Sequence, residues 1–419
     1  MRDSIVGKLI QAETKRQKET LDLIPSENIV SKEVLQALGS VFTNKYAEGY
    51  PAARYYGGNE YADKLESLCQ ERALKLFRLS PKKWSVNVQP YSGSPANLAV
   101  YLALACPPKS EDGKVPTPKI MGMQLDMGGH LTHGHSVSAT GKFWTAVRYG
   151  VGKETELLDY NAIRRMAKKE KPKIIIAGFT AYPRLIDFKK FRSIADEVDA
   201  YLLVDMSHFA GLVAGSAYPS PFPYADIVTT TTHKSLRGPR GAMIFANRES
   251  KIAAKNKIDI AKAIDRAVFP GLQGGPHLNQ IAALAVSLKE ATEPSFKKYA
   301  HQIVKNARTL AVELKKLGWR VISGGTDTHL LLVDVAERGI GGKDASILLE
   351  KSGIISNYNT IPYDHRPPMN PSGIRLGTPA LTTRGMKENE MKKIVTLINA
   401  VLVEKKNVSK EVHALCAKF

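Results

Sequence analysis

The chain has 419 residues, 43% hydrophobic and 24% charged. These are ordinary values for a folded globular protein, and they exclude a disordered, collagen-like or coiled-coil chain. Its 60 Lys and Arg against 40 Asp and Glu leave a formal net charge of +20, which favours acidic ligands, nucleic acid or an anionic surface as partners. Only three cysteines occur, Cys69, Cys106 and Cys416, too few and too scattered for a disulfide framework or a thiolate metal site, so a reducing compartment is expected.

No apolar run approaches the roughly 18 residues that span a bilayer, and Met1-Arg-Asp-Ser-Ile lacks the apolar core of a secretory signal. A cytoplasmic protein is expected, or a mitochondrial matrix protein if a presequence has been removed. The length suits two or three domains or one large α/β unit.

Residues 4–21 read as an amphipathic helix, broken by Leu23-Ile-Pro-Ser-Glu-Asn28. A turn-rich segment over 44–58 follows, holding Tyr46, Glu48, Tyr50, Arg54, Tyr55 and Tyr56 among glycines. Loops this dense in reactive side chains often carry function. Tyr91-Ser-Gly-Ser-Pro-Ala-Asn97 opens the next helix, with Ser94 as its N-cap and Pro95 at the first helical position. Two hydroxyls and free backbone N–H groups at a helix N-terminus make an anion site, although an ordinary capped helix has the same signature. His130-Leu-Thr-His-Gly-His135 has neither thiolates nor a histidine pair at four-residue helical spacing, so no metal is expected there. An imidazole stacked on a flat cofactor is the better use of His130.

Buried-strand patterns fall at 173–178 and 200–205, and between them Phe188, Phe191, Ile194, Ala195 and Val198 share one helical face. This is a βαβ unit. Further strands at 225–230 and 241–245 extend it into a mostly parallel sheet with helices on both faces and ligands at the strands' carboxyl ends. Asp205 closes one strand, and Thr229-Thr-Thr-Thr-His-Lys234 arrives at the same edge, which places Lys234 near Asp205. A lysine that can form a Schiff base, beside an acid that can hold a pyridinium nitrogen protonated, is the arrangement pyridoxal phosphate requires. The glycine-rich stretch Phe269-Pro-Gly-Leu-Gln-Gly-Gly-Pro-His277 could bring further N–H groups to the same phosphate.

After residue 285 a long helical stripe precedes a smaller unit with strands at 319–322, 329–335 and 373–376, helices at 343–351 and 387–403, and an irregular proline-rich loop over 359–372. The expected organisation is a helical arm over 1–43, a large cofactor-binding α/β domain over 44–284 and a small α+β domain over 285–419.

Taken together, Asn44-Lys-Tyr-Ala-Glu-Gly-Tyr-Pro51, Arg54-Tyr-Tyr-Gly-Gly58, Gly128-Gly-His-Leu-Thr-His-Gly134, Thr229 to Lys234 with Leu236-Arg-Gly-Pro-Arg240, and Gly373-Ile-Arg-Leu-Gly-Thr-Pro379 make the chain resemble the serine hydroxymethyltransferase family over nearly its whole length. The resemblance implies a fold-type I, aspartate aminotransferase-like pyridoxal-phosphate enzyme, with a seven-stranded, mostly parallel large sheet. It implies reversible transfer of the hydroxymethyl group of L-serine to tetrahydrofolate, leaving glycine, in a homodimer with shared active sites or a homotetramer.

By position, Lys234 would be the Schiff-base lysine, Asp205 the pyridinium partner and His130 the stacking ring. Ser92, Gly93 and Ser94 would hold the phosphate, with Gly274 and Gly275 reaching it from a neighbouring subunit. Thr180, Thr231, His208 and His233 would line the ring. Arg375 would clamp the substrate carboxylate, with Ser26 and His208 also at the substrate, and Glu48 would be the proton-transfer acid/base with Tyr46 and Tyr56 beside it, again from the partner. Leu125, Gly129, Leu131 and Asn359 would contact the pterin. Ser207 and Tyr358 stand where the family commonly has alanine and frequently lysine, and the 107–118 loop is longer than in many bacterial members. The rival readings are another fold-type I enzyme, such as a threonine aldolase, and a nucleic-acid-binding protein. The second has only the charge behind it, since no recognised binding signature accompanies the scattered basic pairs.

Overall fold

The computed structural model describes residues 3–106 and 117–419, so most of the long 107–118 loop lies outside the described residues. The chain forms two compact units, one of residues 29–300 and one combining residues 1–28 with 301–419.

The larger unit is built on seven strands: β1 (Trp84–Asn87), β2 (Lys119–Met123), β3 (Thr145–Tyr149), β4 (Ile174–Gly178), β5 (Tyr201–Asp205), β6 (Ile227–Thr231) and β7 (Ala242–Asn247). They lie in the order β1-β7-β6-β5-β4-β2-β3. The pairs β2/β3, β2/β4, β4/β5 and β5/β6 are parallel, and β7 runs antiparallel to both β6 and β1. Strands β4, β5 and β6 are buried along their whole length, which is why β4 and β5 read as nearly continuous apolar runs with no alternation, while β6 ends in three buried threonines. On one face Ile174, Ile176, Tyr201, Leu203 and Ile227 pack with Ala96, Val100, Tyr101 and Leu104 of the helix Gly93–Ala105. Each leucine, isoleucine or valine side chain so removed from water contributes roughly 1.5–3 kcal/mol. Phe188, Phe191 and Ile194 are buried on the helix Phe188–Glu197, the connection expected between β4 and β5.

The register matters for the site. Gly178, Asp205 and Thr229 are aligned across β4, β5 and β6, so the chain leaves these strands at a common edge, and Thr231 and Lys234 follow directly.

The smaller unit carries a four-stranded antiparallel sheet of β8 (Arg320–Val321), β9 (Leu330–Asp334), β10 (Asn357–Asn359) and β11 (Gly373–Gly377), in the order β8-β9-β11-β10. The helices Gly342–Lys351, Glu388–Leu402 and Ser409–Cys416 bury Leu349, Ile394, Ile398, Val412 and Leu415 in its core. Leu21 and Leu23 enter the same core, and Leu21-Asp22 pairs in parallel with Ile354-Ile355. The N-terminal helix therefore stops at Glu19, and residues 20–23 are extended strand and linker. Among the described residues no helix is long and apolar enough to cross a membrane.

Candidate functional site

Asp205, at the carboxyl end of β5, is 6% exposed. Its Oδ2 accepts hydrogen bonds from Asn97 Nδ2 at 2.9 Å and His133 Nε2 at 3.1 Å, and its Oδ1 accepts from the Ser207 backbone N–H at 3.1 Å. The Ser207 side chain also bonds to it. Burial opposes ionisation, but the His133 hydrogen bond and charge, the His130 charge and the Ser207 bond together hold the carboxyl well below the usual carboxylate range. It is a buried, stable anion.

Asn97, on the helix that follows the Ser-Gly-Ser segment, joins this anion to the rest of the site. Its second amide hydrogen goes to Thr132 Oγ1 at 2.9 Å, and its Oδ1 accepts from Thr229 Oγ1 at 2.7 Å. Thr132 Oγ1 lies 2.8 Å from His130 Nδ1, and the Thr132 backbone N–H donates to the same nitrogen. Since Nδ1 accepts, a neutral His130 ring carries its hydrogen on Nε2. His133 sits three residues on in the same 3₁₀ turn, Leu131–His133. The three histidines of this motif are thus committed to Thr132, to Asp205 and, for His135, to the Val137 backbone N–H.

Lys234 Nζ donates to Thr231 Oγ1 at 3.3 Å. The Thr231 backbone N–H donates to Ser207 Oγ at 3.0 Å, so Ser207 connects the lysine segment to Asp205. Its hydroxyl, absent from an alanine, supplies that link. His233 Nδ1 is buried with no hydrogen-bond partner among the described residues. Burial, with Lys234 and Arg240 nearby, pushes its imidazole down to about 3, so the ring is neutral at physiological pH. His208 is buried, and its carbonyl accepts from Ser235 Oγ at 2.7 Å. The Thr180 backbone N–H donates to Gly128 O at 2.7 Å, which holds the β4 exit against the turn carrying Gly129 and His130.

The phosphate-type cradle differs in one detail from expectation. The helix begins at Gly93, with Ser92 and not Ser94 as its N-cap, and the Ser92 hydroxyl makes no capping bond. A Cβ at Gly93 would lie 2.7 Å from Thr231 Cγ2, so only glycine lets this helix end approach the lysine segment so closely. Gly93 and Ser94 lie in the first turn, where N–H groups have no partner within the helix. Leu125 starts a 3₁₀ turn, Leu131 is exposed, and a Cβ at Gly129 would overlap Met123 O.

A second cluster adjoins at Tyr91. The Tyr46 hydroxyl donates to Glu48 Oε1 at 3.2 Å and accepts from the Gly275 backbone N–H. The Glu48 charge pushes that phenol up. Tyr56 packs edge-on against Tyr46 with centroids 4.9 Å apart. Cβ atoms built on Gly274 and Gly275 would meet Glu48 Oε1 at 3.1 Å and the Tyr46 ring at 3.4 Å. Tyr91, directly before Ser92, donates its hydroxyl to Gly275 O at 2.7 Å and stacks on His277.

In the smaller unit Arg375 lies on β11, 7% exposed. Its Nε donates to Asn357 Oδ1 at 3.1 Å, and burial pushes the guanidinium down to about 10. Asn359 ends β10 and donates to the Thr360 carbonyl. Ser26 is half-buried in the turn after Leu23, and Tyr358 is exposed.

The structure thus gathers Asp205, Lys234, Thr231 and His130 through one hydrogen-bonded network, with Gly93 of the 92–94 segment packed against Thr231, and Glu48, Tyr46, Tyr56, Gly274 and Gly275 in the adjoining cluster. Asn97, Thr132, His133 and Thr229 belong to the first network and were not singled out as site residues from sequence. All four lie inside quoted motifs, but linear spacing does not reveal that Asn97 and His133 converge on one carboxylate with Thr132 and Thr229 bonded to Asn97. The buried, ionised Asp205, the open helix N-terminus and the orphaned His233 Nδ1 fit a phosphorylated pyridine cofactor.

Comparison with known proteins agrees with this geometry. A family model described as serine hydroxymethyltransferase matches residues 1–398. A serine hydroxymethyltransferase of Acidobacterium capsulatum is 53% identical over 407 residues, covering 97% of this chain and 90% of the relative. That of Acidothermus cellulolyticus is 52% identical over 399 residues, 95% and 88% of the two chains. That of Koribacter versatilis is 51% identical over 423 residues, 100% and 94%.

Proposed function

The chain belongs to the serine hydroxymethyltransferase family, transferring the hydroxymethyl group of L-serine reversibly to tetrahydrofolate to leave glycine and 5,10-methylenetetrahydrofolate, and we propose that it does so with pyridoxal phosphate held at Lys234 and Asp205. One observation carries this reading: a buried carboxylate hydrogen-bonded by Asn97 and kept ionised by His133, His130 and Ser207 is linked through Ser207 and Thr231 to a lysine amine.

When bound, the cofactor supplies an electron sink for the charge left on the substrate α-carbon as the hydroxymethyl carbon departs. The chain's own residues supply the rest. Lys234 holds the cofactor's aldehyde carbon, and the Thr231 hydroxyl orients its amine. Asp205 keeps a proton on the ring nitrogen, because a buried anion strongly favours a cation beside it. Ser92, Gly93 and Ser94 bind the phosphate, with Gly274 and Gly275. His130 covers the ring, and Thr180, His208 and neutral His233 line it.

Arg375 binds the substrate carboxylate. A buried guanidinium is a planar two-point donor with a strong preference for an anion. Ser26, Tyr56 and His208 complete the substrate site. Glu48, with Tyr46 hydrogen-bonded to it, moves the proton at the substrate hydroxyl or the folate. Leu125, Gly129, Leu131 and Asn359 contact the pterin. Glu48, Tyr46, Tyr56 and the 274–275 loop serve the site of a second copy in a homodimer, or in a tetramer of such dimers. The bacterial relatives and the sparse cysteines support work in the cytoplasm.

The test adds pyridoxal phosphate to purified apoprotein and follows the visible absorbance band, then glycine formation from serine with and without tetrahydrofolate. Loss of the band in Lys234→Ala and folate-dependent glycine formation by the unmodified protein are expected. Absence of any band in the unmodified protein refutes the cofactor assignment. Cleavage indifferent to folate indicates an aldolase.

A further inference from the structure

The loop carrying Tyr46 and Glu48 has few buried side chains of its own, yet its backbone is held from below by one guanidinium. Arg54 Nη1 donates to the carbonyls of Ala47 at 2.9 Å and Gly49 at 2.7 Å, the residues on either side of Glu48. Its Nε donates to Asp63 Oδ1 at 2.8 Å and its Nη2 to Glu66 Oε2 at 2.6 Å. The Arg54 side chain is 4% exposed and that of Glu66 is fully buried. Arg54 is therefore committed within its own chain and is not available to an external phosphate or carboxylate.

Glu66 has no place in the chemistry proposed for the site, and burial, with the Asp265 charge adding to it, raises its pKa despite the arginine. Burying an acid at that cost calls for a return elsewhere in the structure. Its other oxygen, Oε1, accepts from Gln89 Nε2 at 2.9 Å, and the same amide nitrogen donates to Gly49 O at 2.9 Å. The Gln89 carbonyl accepts from Gln273 Nε2 at 2.9 Å, while Gln273 Oε1 accepts from the Tyr91 N–H at 3.0 Å. Gln273 directly precedes Gly274 and Gly275, which lie against Glu48 and Tyr46. A continuous polar chain thus runs from Glu66 to both loops of the acid/base cluster.

We propose that Arg54 and Glu66 are positioning residues: their buried pair fixes the backbone on both sides of Glu48 and, through Gln89 and Gln273, sets the 274–275 loop against it. Arg54 supplies the geometry, because only a forked guanidinium reaches two carbonyls and two carboxylates together. Glu66 fixes the fork's orientation. The catalytic consequence rests on the reading of Glu48 as the proton-transfer group, since misplacing such a group by about 1 Å costs on the order of a hundredfold in rate.

The holoenzyme is compared with Arg54→Lys, which keeps the charge and loses the fork, and with Glu66→Gln, which keeps a hydrogen-bonding side chain and loses the ion pair. Amide hydrogen exchange over 46–50 and at Tyr55 should accelerate by about tenfold or more, with β4 and β5 unchanged. The cofactor absorbance should persist, kcat should fall by about tenfold or more, and KM for serine should stay within about threefold. Unchanged exchange over 46–50 in both variants overturns the proposal.

In the unmodified enzyme the Tyr55 amide, which donates to the Glu48 carbonyl, should be strongly protected. Free exchange there overturns the proposal even if neither variant folds. Glu48→Gln separates the two ideas: survival of folate-dependent turnover removes the role of Glu48, while the exchange result still decides whether Arg54 and Glu66 clamp the loop.

Discussion

Asn97→Ala tests the network around Asp205 most directly. The Asn97 side chain is 1% exposed and makes hydrogen bonds of 2.9 Å to the Asp205 carboxylate, 2.9 Å to Thr132 and 2.7 Å from Thr229. A bond to a charged group contributes about 1.5–3 kcal/mol and a neutral one about 0.5–1.5 kcal/mol, so their joint loss should destabilise the larger unit by about 2.5–6 kcal/mol. No solvent reaches Asp205 or Thr229 easily enough to replace them, since both are buried.

The pH dependence of that loss has a definite sign. Asp205 has a depressed pKa in the folded protein, so it contributes stability that is present above the ordinary aspartate value of about 3.9 and lost as pH falls toward its folded value. Removing the Asn97 donor raises the folded pKa, and the unfolded pKa is common to both proteins, so the stability difference between variant and parent should be full at neutral pH and shrink only as the pH falls through the variant's own Asp205 pKa, which His133 and Ser207 still hold below the ordinary aspartate value. Urea unfolding of the apoprotein, followed at pH 7 and again near the acid limit of folding, measures both. A variant within about 0.5 kcal/mol of the parent at pH 7, in the range of ordinary surface substitutions, would refute the assignment of Asn97 as a support of Asp205.

Gly93→Ala places a methyl 2.7 Å from Thr231 Cγ2, and overpacking of this kind should cost about 1–3 kcal/mol and weaken cofactor retention in equilibrium dialysis. Unchanged retention would show that the helix end tolerates displacement. Arg384→Ala removes donors to the carbonyls of Thr20 at 2.7 Å, Lys18 at 2.8 Å and Cys416 at 3.3 Å, so limited proteolysis should cut near residues 16–20 faster. An unchanged cleavage rate would count against this tether. Asp22 has a raised pKa, chiefly from burial with the Glu27 carboxyl beside it. Its contribution is therefore full below about pH 4 and is lost as pH rises. Asp22→Asn should gain stability over the parent at pH 8 and little at pH 4, and an equal gain at both values in urea melts would contradict that origin.

Much of this protein is determined by local sequence alone. Strands β4 and β5 announce themselves because they are buried on both faces, so hydrophobicity runs nearly unbroken, β6 by its run of β-branched residues, and the helix between β4 and β5 because its apolar residues recur on one face. That pattern was enough to bring Asp205 and Lys234 to one sheet edge. Strands β1 to β3 were not individually legible: β3 is only partly buried, and β1 sits at the sheet edge with four residues.

Convergence was decided by tertiary structure. Asn97 and Asp205 are 108 residues apart and His133 and Asp205 are 72 apart, and no periodicity encodes which buried donor satisfies which buried acceptor. The same holds for Arg54: its charge is plain in the sequence, but its four partners come from a hairpin and a helix that fold around it. Local pattern sets which segments are buried and how they are shaped. The demand that every buried polar group find a partner, which only the packed chain can meet, sets which residues make the site.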